Sequence, residues 1–431
     1  MARLPLALWA ALAVLAGAGL AAITLALAPL HAAGGQLEAS FFDGAMHPSI
    51  EYAARPRTDA IARLGAALEA GTIRLPFDQR SGYLRALLKA LDVDVDSQLA
   101  VFSKTSQQAQ IISPRNPRAV YFNDRVAVAW PRGGFIEIAA QDPTQGAAFY
   151  ALEQRDTPAP RFERPRECLI CHVSYATLNV PGLLVRSVAT APDGRGLPFL
   201  ANGTSDHRTP FAERWAGWFV TGQTTGIAHL GNATVTSPDS ALVPAATPLD
   251  SMTSRVDTTA YLSPHSDVAA LLVFNHQAHM QNLLTRIGWQ TRVVLADKAP
   301  NAARAIADAA ADVVDYMLFV EEPQLPAPVK GASGFAERFS ALGPRDRAGR
   351  SLHQLDLQTR LLKYPCSYMI YSEVFEALPA EAKNAIYARL SHVLSGAETA
   401  PRYRRLSPSD RGALIEILKG TKPDLPRSFG T

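Results

Sequence analysis

An uninterrupted apolar run near the N-terminus constrains this chain more than any other sequence feature. Residues 4–30 contain no charged side chain, Arg3 precedes them, and Glu38 is the first acidic residue that follows. The run exceeds the ~7–15 residues of a cleavable signal core and the ~20 residues that span a bilayer. A basic start before such a run is an export signal, so we expect the rest of the chain to fold outside the cytoplasm.

Two fates of residues 1–34 are compatible with this pattern. We favour an uncleaved helix that anchors the chain in the inner membrane, with Arg3 in the cytoplasm and the folded part in the periplasm. Cleavage would instead release a soluble periplasmic protein, and the small residues Ala32, Ala33 and Gly34 could form the cleavage site. In the favoured case the membrane is a partner through this helix.

The composition is that of a globular protein. Hydrophobic residues make up 48% of the chain and charged residues 19%, which excludes a disordered chain. The net charge of +3 is too small to indicate a nucleic-acid partner. Three cysteines in 431 residues cannot hold the fold together by disulfides. We therefore expect an ordinary hydrophobic core.

Two of the three cysteines lie in a single motif. Cys168, Cys171 and His172 form the pattern C-x-x-C-H, which is the attachment signature of haem c. Two thiols at this spacing can bond to the two vinyl groups of one porphyrin, and the adjacent imidazole can bind its iron. A structural zinc site would need a second ligand pair, and a thioredoxin-type pair would need a βαβ context that the flanking residues do not show. A chance disulfide would leave His172 unexplained.

The motif resembles that of the c-type cytochromes, and the resemblance proper covers residues 168–172. It implies one covalently bound haem c, thioether bonds from Cys168 and Cys171, and His172 as the proximal iron ligand. The motif is central in the chain, whereas small cytochromes carry it near the mature N-terminus, and no loop with a distal methionine is identified downstream. Three further segments look like those of large, uncharacterised bacterial cytochrome-c-like proteins, a family without an established activity: residues 112–118, 214–218 and 363–368.

A low-spin electron carrier needs a second axial ligand, usually His or Met. Ser263 and Pro264 form a good cap and first helical position, and the apolar steps of three and four that follow predict a long helix with one buried face. His276 lies on that face and is our candidate distal ligand. Met280, one turn later on the same face, is an alternative, and His279 lies at its margin.

Two loop histidines are further alternatives for the distal ligand. His207 follows a Ser-Asp pair, and His229 lies in a Gly-rich segment. Either one could instead hydrogen-bond in an ordinary surface loop. An iron without a sixth protein ligand is also compatible with the sequence and would favour small-molecule chemistry.

The rest of the chain predicts a mainly helical α+β fold in which a loop-rich haem region separates an antiparallel β-meander from a helical C-terminal half. Four apolar runs separated by turn pairs predict the meander: residues 119–122, 125–130, 135–139 and 147–152. Helices are expected over residues 264–321, with a break near Pro300, and around Ile386 and Leu390 up to Gly396. The expected divisions are as follows: a signal or anchor helix (1–34), a tether (35–57), a helical hairpin with the meander (58–155), a haem-binding region (156–322) and a helical C-terminal region (323–431).

Cys366 lies outside the motif, in a mixed aromatic segment, and we expect it to be a buried free thiol. A thiol near the haem or an intermolecular disulfide are the alternatives. Four arginines around the predicted meander either bind haem propionates or an anionic substrate, or form a solvated surface: Arg115, Arg118, Arg125 and Arg132.

The size of the chain bears on its function. A shuttle-type carrier with one haem needs only about a hundred residues, whereas roughly four hundred exported residues accompany this motif. The first hypothesis is a mono-haem c-type cytochrome in periplasmic electron transfer that docks to a redox protein partner. The alternatives are a haem-dependent oxidoreductase with an open iron site for a small molecule, and a haem-based sensor or ligand-binding module.

Overall fold

The structure is a computed structural model that describes residues 44–197, 199–236, 242–245 and 248–430. The predicted signal or anchor helix, residues 1–34, lies outside the described residues, as does the predicted tether up to residue 43. The described part of that tether is packed, because Ile50 and Tyr52 are buried against Val180 and Trp289. Within the described ranges, no helix is both long enough and apolar enough to cross a bilayer.

The strands of the described residues are short and largely buried. They are β1 (Leu99–Val101), β2 (Arg118–Phe122), β3 (Val126–Pro131), β4 (Ile136–Asp142), β5 (Gly146–Leu152), β6 (Phe162–Glu163), β7 (Arg186–Val188), β8 (Asn202–Thr204), β9 (Trp218–Phe219), β10 (Gly222–Gln223) and β11 (Lys330–Gly331). Seven of them form one antiparallel sheet in the order β6-β5-β4-β3-β2-β1-β9. The predicted antiparallel meander is confirmed as β2 to β5.

Helices cover both faces of this sheet. Successive side chains of β2 point to opposite faces, so Ala119 and Tyr121 pack with one apolar cluster, and Val120 and Phe122 with another. Two-sided burial explains why the strands contain long apolar runs. Strands β6 and β9 follow the meander in sequence and complete the same sheet, so the predicted meander and haem regions share it.

The helices of the described residues lie mainly in the C-terminal half. They are α1 (Ala60–Glu69), α2 (Leu84–Ala90), α3 (Leu169–His172), α4 (Val268–Ala296), α5 (Ala302–Met317), α6 (Phe335–Ala341), α7 (Glu373–Glu376), α8 (Ala380–Leu394) and α9 (Pro408–Thr421). Helices α1 and α2 contribute to the apolar cluster on one face of the sheet, and α4 to the cluster on the other. The α+β class is therefore confirmed.

Helix α4 is the central element, and two details of its prediction were wrong. Its N-cap is Asp267, whose Oδ1 accepts hydrogen bonds from Ala269 N at 2.8 Å and Ala270 N at 3.1 Å, and not Ser263. The helix also lacks a single apolar face, because its first three turns are buried on every side. Some buried polar side chains on α4 hydrogen-bond to neighbouring loops; Gln277, for example, donates to Asn123 O at 2.7 Å.

The C-terminal helices follow the sequence pattern closely. The predicted break near Pro300 separates α4 from α5, which packs against both α4 and α8. The predicted stripe of α8, including Ile386 and Leu390, is fully buried. Gly396 adopts a φ of +85° just after the helix, as expected for a left-handed residue that ends it.

Candidate functional site

The C-x-x-C-H motif occupies a tight turn of helix. A 3₁₀ turn over Arg166–Cys168 leads directly into α3, which ends at His172. Positions three apart on such a turn lie on the same side, so the spacing of Cys168 and Cys171 directs both thiols to one face. Cys168 is half-buried, Cys171 is exposed, and neither forms a disulfide.

The environment of Cys168 does not activate its thiol. Burial, followed by the negative charges of Glu137 and Glu167, raises the pKa of Cys168 to about 11. A nucleophilic or redox-active cysteine pair needs the opposite effect, a pKa lowered by positive charge or a helix N-terminus. The thioredoxin-type alternative is therefore not supported by the electrostatics of this site.

His172 is held in one defined tautomer. Its Nδ1 lies 2.9 Å from Gly182 O, and since a carbonyl only accepts, Nδ1 carries the proton and donates. Nε2 then holds the free lone pair, and it makes no hydrogen bond with any residue that the structure describes. Burial lowers the pKa of His172, so the ring is neutral, and it packs on Phe149 with ring centroids 4.5 Å apart.

The carbonyl that accepts this hydrogen bond belongs to a fixed segment, residues 181–183, which we call the strap. Asn282 of α4 donates to Leu183 O at 2.7 Å and accepts from Leu183 N at 3.0 Å. Ala147 N of β5 donates to Pro181 O at 2.9 Å. A Cβ on Gly182 would lie 2.1 Å from Asn282 Oδ1, so only glycine permits this close approach. The strap is thus fixed between α4 and the sheet.

A buried ion pair lies beside the motif. Arg118 Nη1 is 2.8 Å from Glu137 Oε2, and both side chains are largely buried. Burial raises the pKa of Glu137, but Arg118 and neighbouring hydrogen bonds outweigh this effect, so the net shift is downward and the carboxylate is ionised. The positive charge of Arg118 in turn helps to lower the pKa of His172. One of the four arginines that the sequence singled out therefore acts on the motif.

The candidate distal ligands lie in the protein core. His276 is fully buried, with Nδ1 2.8 Å from His207 Nδ1 and Nε2 2.7 Å from Ser367 Oγ. Met280 is also fully buried. The structure thus brings His276 and His207 together, but in the described part of the chain neither contacts His172. The identity of a distal ligand stays a prediction.

His229, the remaining alternative, is buried in a different environment. Its Nδ1 accepts from Gly231 N at 3.0 Å, so Nε2 carries the proton. The ring lies against the edge of Trp215, with centroids 5.3 Å apart, and burial lowers the pKa of His229 to about 4. Trp215 itself is a core aromatic residue that donates to Asn275 Oδ1 at 2.8 Å. Neither residue contacts the motif among the described residues.

A groove of about 890 Å³, which we call the α4 groove, runs along helix α4 from His279 to Asp297. Its opposite wall includes most of residues 175–185, which directly follow the motif. Sequence reasoning missed this groove because its walls come from segments that are distant in the chain. A sequence feature that could have indicated the groove is the Ser-Asp-His-Arg loop, which contributes Asp206 and Arg208 to its lining.

Three polar side chains form a cluster at one end of the α4 groove. Arg208 Nη2 donates to Asp206 Oδ2 at 2.6 Å and to His279 Nε2 at 3.3 Å. His279 Nδ1 therefore carries the proton, and it lies 4.0 Å from Asp206 Oδ2. Burial lowers the pKa of His279 to about 4, so its ring is neutral near pH 7.

Comparison with known proteins gives no relative: no protein-family model, no curated protein and no solved structure matches this chain. Within the described ranges, no group of three or more His, Cys, Asp or Glu side chains is arranged to hold a metal ion. The donor set that haem c requires is smaller, since it consists of two thiols and one neutral imidazole with a free Nε2. Cys168, Cys171 and His172 fit that requirement.

Proposed function

We propose that this chain is an exported mono-haem c-type cytochrome that transfers electrons in the periplasm. Cys168 and Cys171 would hold haem c through thioether bonds, and His172 would be the proximal iron ligand. One observation carries the proposal: the Nδ1 of His172 donates to Gly182 O, which leaves Nε2 free on a neutral ring beside two free thiols.

This hydrogen bond is the kind that a metal-ligating histidine needs. Such residues almost always donate their second ring N–H to a carbonyl or carboxylate, which fixes the tautomer and raises the basicity of the ligating nitrogen. The strap supplies that carbonyl, and Asn282 and Ala147 fix the strap. In an ordinary surface turn, a histidine would not require a hydrogen-bond acceptor that two secondary-structure elements hold in place, as α4 and β5 hold the acceptor of His172.

Exposed apolar side chains beside the motif also support a bound macrocycle. Ile170, between the two cysteines, is 79% exposed, and Tyr175, three residues after His172, is 80% exposed. Two large side chains exposed within six residues of the chain favour a binding surface here over scattered exposure. A porphyrin attached at these thiols would cover part of this area, and a redox protein partner would contact the rest.

The proposal includes export and, through residues 1–34, an anchor in the inner membrane, with a soluble periplasmic protein after cleavage as the alternative. The charge-free run of residues 4–30 supports it, together with the fact that haem c is attached outside the cytoplasm. Membrane fractionation of the expressed chain separates the two forms.

The α4 groove favours a second candidate function. Its volume of about 890 Å³ falls in the range of small-molecule sites, about 300–1,000 Å³, and its wall continues from the motif at Tyr175. A haem-dependent oxidoreductase or a haem-based sensor would use such a space next to an open iron site. A protein that only transfers electrons does not require a groove for a small molecule.

The test of haem attachment uses the full chain expressed in a host with periplasmic haem-attachment machinery. We expect a haem stain that survives denaturing electrophoresis and a mass increase of one haem. The double variant Cys168→Ala/Cys171→Ala should lose both signals, whereas Cys366→Ala, which removes the fully buried third thiol, should keep them. A colourless wild-type chain of polypeptide mass, or a stain that persists in the double variant, would contradict the proposal.

Absorption spectra of the same protein then separate the two candidate functions. A six-coordinate low-spin spectrum that carbon monoxide does not change supports the electron carrier. A high-spin iron that binds carbon monoxide supports the enzyme or the sensor, and turnover of a small molecule divides those two.

A further inference from the structure

The charged groups that line the α4 groove are paired, with one exception. Arg208 is neutralised by Asp206, and His47 Nε2 lies 3.0 Å from Asp297 Oδ1. Arg286 lines the groove between these pairs and is half-buried. Its guanidinium makes no hydrogen bond or ion pair with any residue that the structure describes. None of its nitrogens is among the buried side-chain atoms that lack a hydrogen-bond partner, so solvent reaches the guanidinium and its donors are free to bind a ligand.

Beyond Arg286, the groove has an apolar stretch that ends at the His47–Asp297 pair. Trp289 and Val293 follow Arg286 along α4 and line the groove, where they pack in one apolar cluster with Val180. At 1.5 Å of rise per residue, the groove continues for about 16 Å from Arg286 to its far end at residue 297. A single unpaired guanidinium therefore borders an apolar stretch of the groove.

We propose that the α4 groove binds a carboxylate carried on an apolar body, with the carboxylate on Arg286 and the body against Trp289 and Val293. The planar guanidinium fork matches a carboxylate in a bidentate geometry, and the partly buried position strengthens the pair. One unpaired positive charge suits a monoanion. A phosphate dianion would bring a second charge that the neighbouring groups, already paired with each other, do not compensate.

Two kinds of molecule can supply a carboxylate on an apolar body. One is a free amphipathic acid, and the other is a propionate of the haem that the proposed function attaches at Cys168 and Cys171. The second source rests on the proposed function, because Tyr175, at the edge of the groove, is only three residues beyond His172. The first source stands without any haem.

The experiment measures binding of 4-phenylbutyrate to the full chain by isothermal titration calorimetry. The haem-loaded chain and the haem-free Cys168→Ala/Cys171→Ala chain are both titrated, with 4-phenylbutanol as the ligand that lacks the carboxylate. We expect saturable binding that Arg286→Gln weakens at least tenfold, since a charged hydrogen-bonded pair is lost. Arg304→Gln, at an 84% exposed position on α5, is the matched control and should bind as the wild type does.

The two forms of the chain distinguish the sources. Binding to both forms identifies a free acid as the ligand. Binding to the haem-free form alone identifies a haem propionate, and Arg286→Gln should then also shift the reduction potential of the haem-loaded chain. If the chain carries no haem at all, the haem-free arm still tests the groove. The inference is overturned if neither form shows binding that depends on Arg286, or if the alcohol binds as tightly as the acid.

Discussion

Substitution of Asn282 by alanine tests how the strap positions His172. Asn282 is 1% exposed, and its amide makes two hydrogen bonds to the backbone of Leu183. Alanine leaves that N–H and C=O without their partner. Each lost bond costs about 0.5–1.5 kcal/mol net, so we expect the free energy of unfolding to fall by about 1–3 kcal/mol.

If the chain binds haem as proposed, the same substitution should also change the reduction potential of that haem through His172. A strap that is free to move no longer holds Gly182 O at 2.9 Å from Nδ1, so the hydrogen bond weakens on average. A weaker acceptor makes the imidazole a poorer donor to iron, which destabilises the oxidised state. We therefore expect Asn282→Ala to raise the reduction potential. Asn282 is a positioning residue, and the potential is a property that a purely structural role would not shift.

Urea unfolding and a redox titration of the haem-loaded chain measure the two effects. Gln290→Ala is the matched control, because Gln290 is an exposed residue on the same helix and should stay within about 0.5 kcal/mol of the wild type. If Asn282→Ala also stays within that range, the strap is not held by this amide. If stability falls but the potential is unchanged, the strap does not control His172.

Two further predictions concern charge and the distal ligand. Because the pKa of Glu137 is lowered, its ionised form stabilises the fold above about pH 4.3, and this contribution is lost as the pH falls through the folded-state pKa. Glu137→Gln should therefore be less stable at pH 7, and urea titrations should show the difference shrinking in acid. His276→Ala should change the visible spectrum if His276 is the distal ligand; an unchanged spectrum leaves Met280, His207 and His229.

The parts of the fold that local sequence specifies could be predicted, and those set by distant contacts could not. The turn pairs between β2 and β5 reveal the meander because each strand pairs with its neighbour in sequence. Strand β9 has two residues and pairs with β1, so Ala100 meets Phe219 across a long separation in the chain. The start of α4 was misplaced for a similar reason. Ser263 O accepts from the side chain of Gln98, so tertiary contacts hold that segment outside the helix.

The candidate site, like the fold, could be predicted from the sequence only in part. The motif was visible in the sequence because two thiols and an imidazole within five residues already contain the chemistry of attachment. The sequence did not reveal the hydrogen-bond acceptor of His172. Gly182 takes this role because the side chain of Asn282, one hundred residues later in the chain, packs closely against it. The α4 groove was invisible for the same reason, since its polar cluster joins a loop at Asp206 to a helix residue at His279.

Helix α4 joins the proposed haem site to the groove. Asn282 and Arg286 are four residues apart, so they lie one turn apart on the same side of the helix. Asn282 reaches the strap, which fixes His172, and Arg286 lines the groove whose wall continues from the strap. Since α4 is buried along most of its length, this face has little freedom to adjust locally. A change at Asn282 therefore acts through the strap, whereas a change at Arg286 acts through the groove, where its positive charge also helps to lower the pKa of His279.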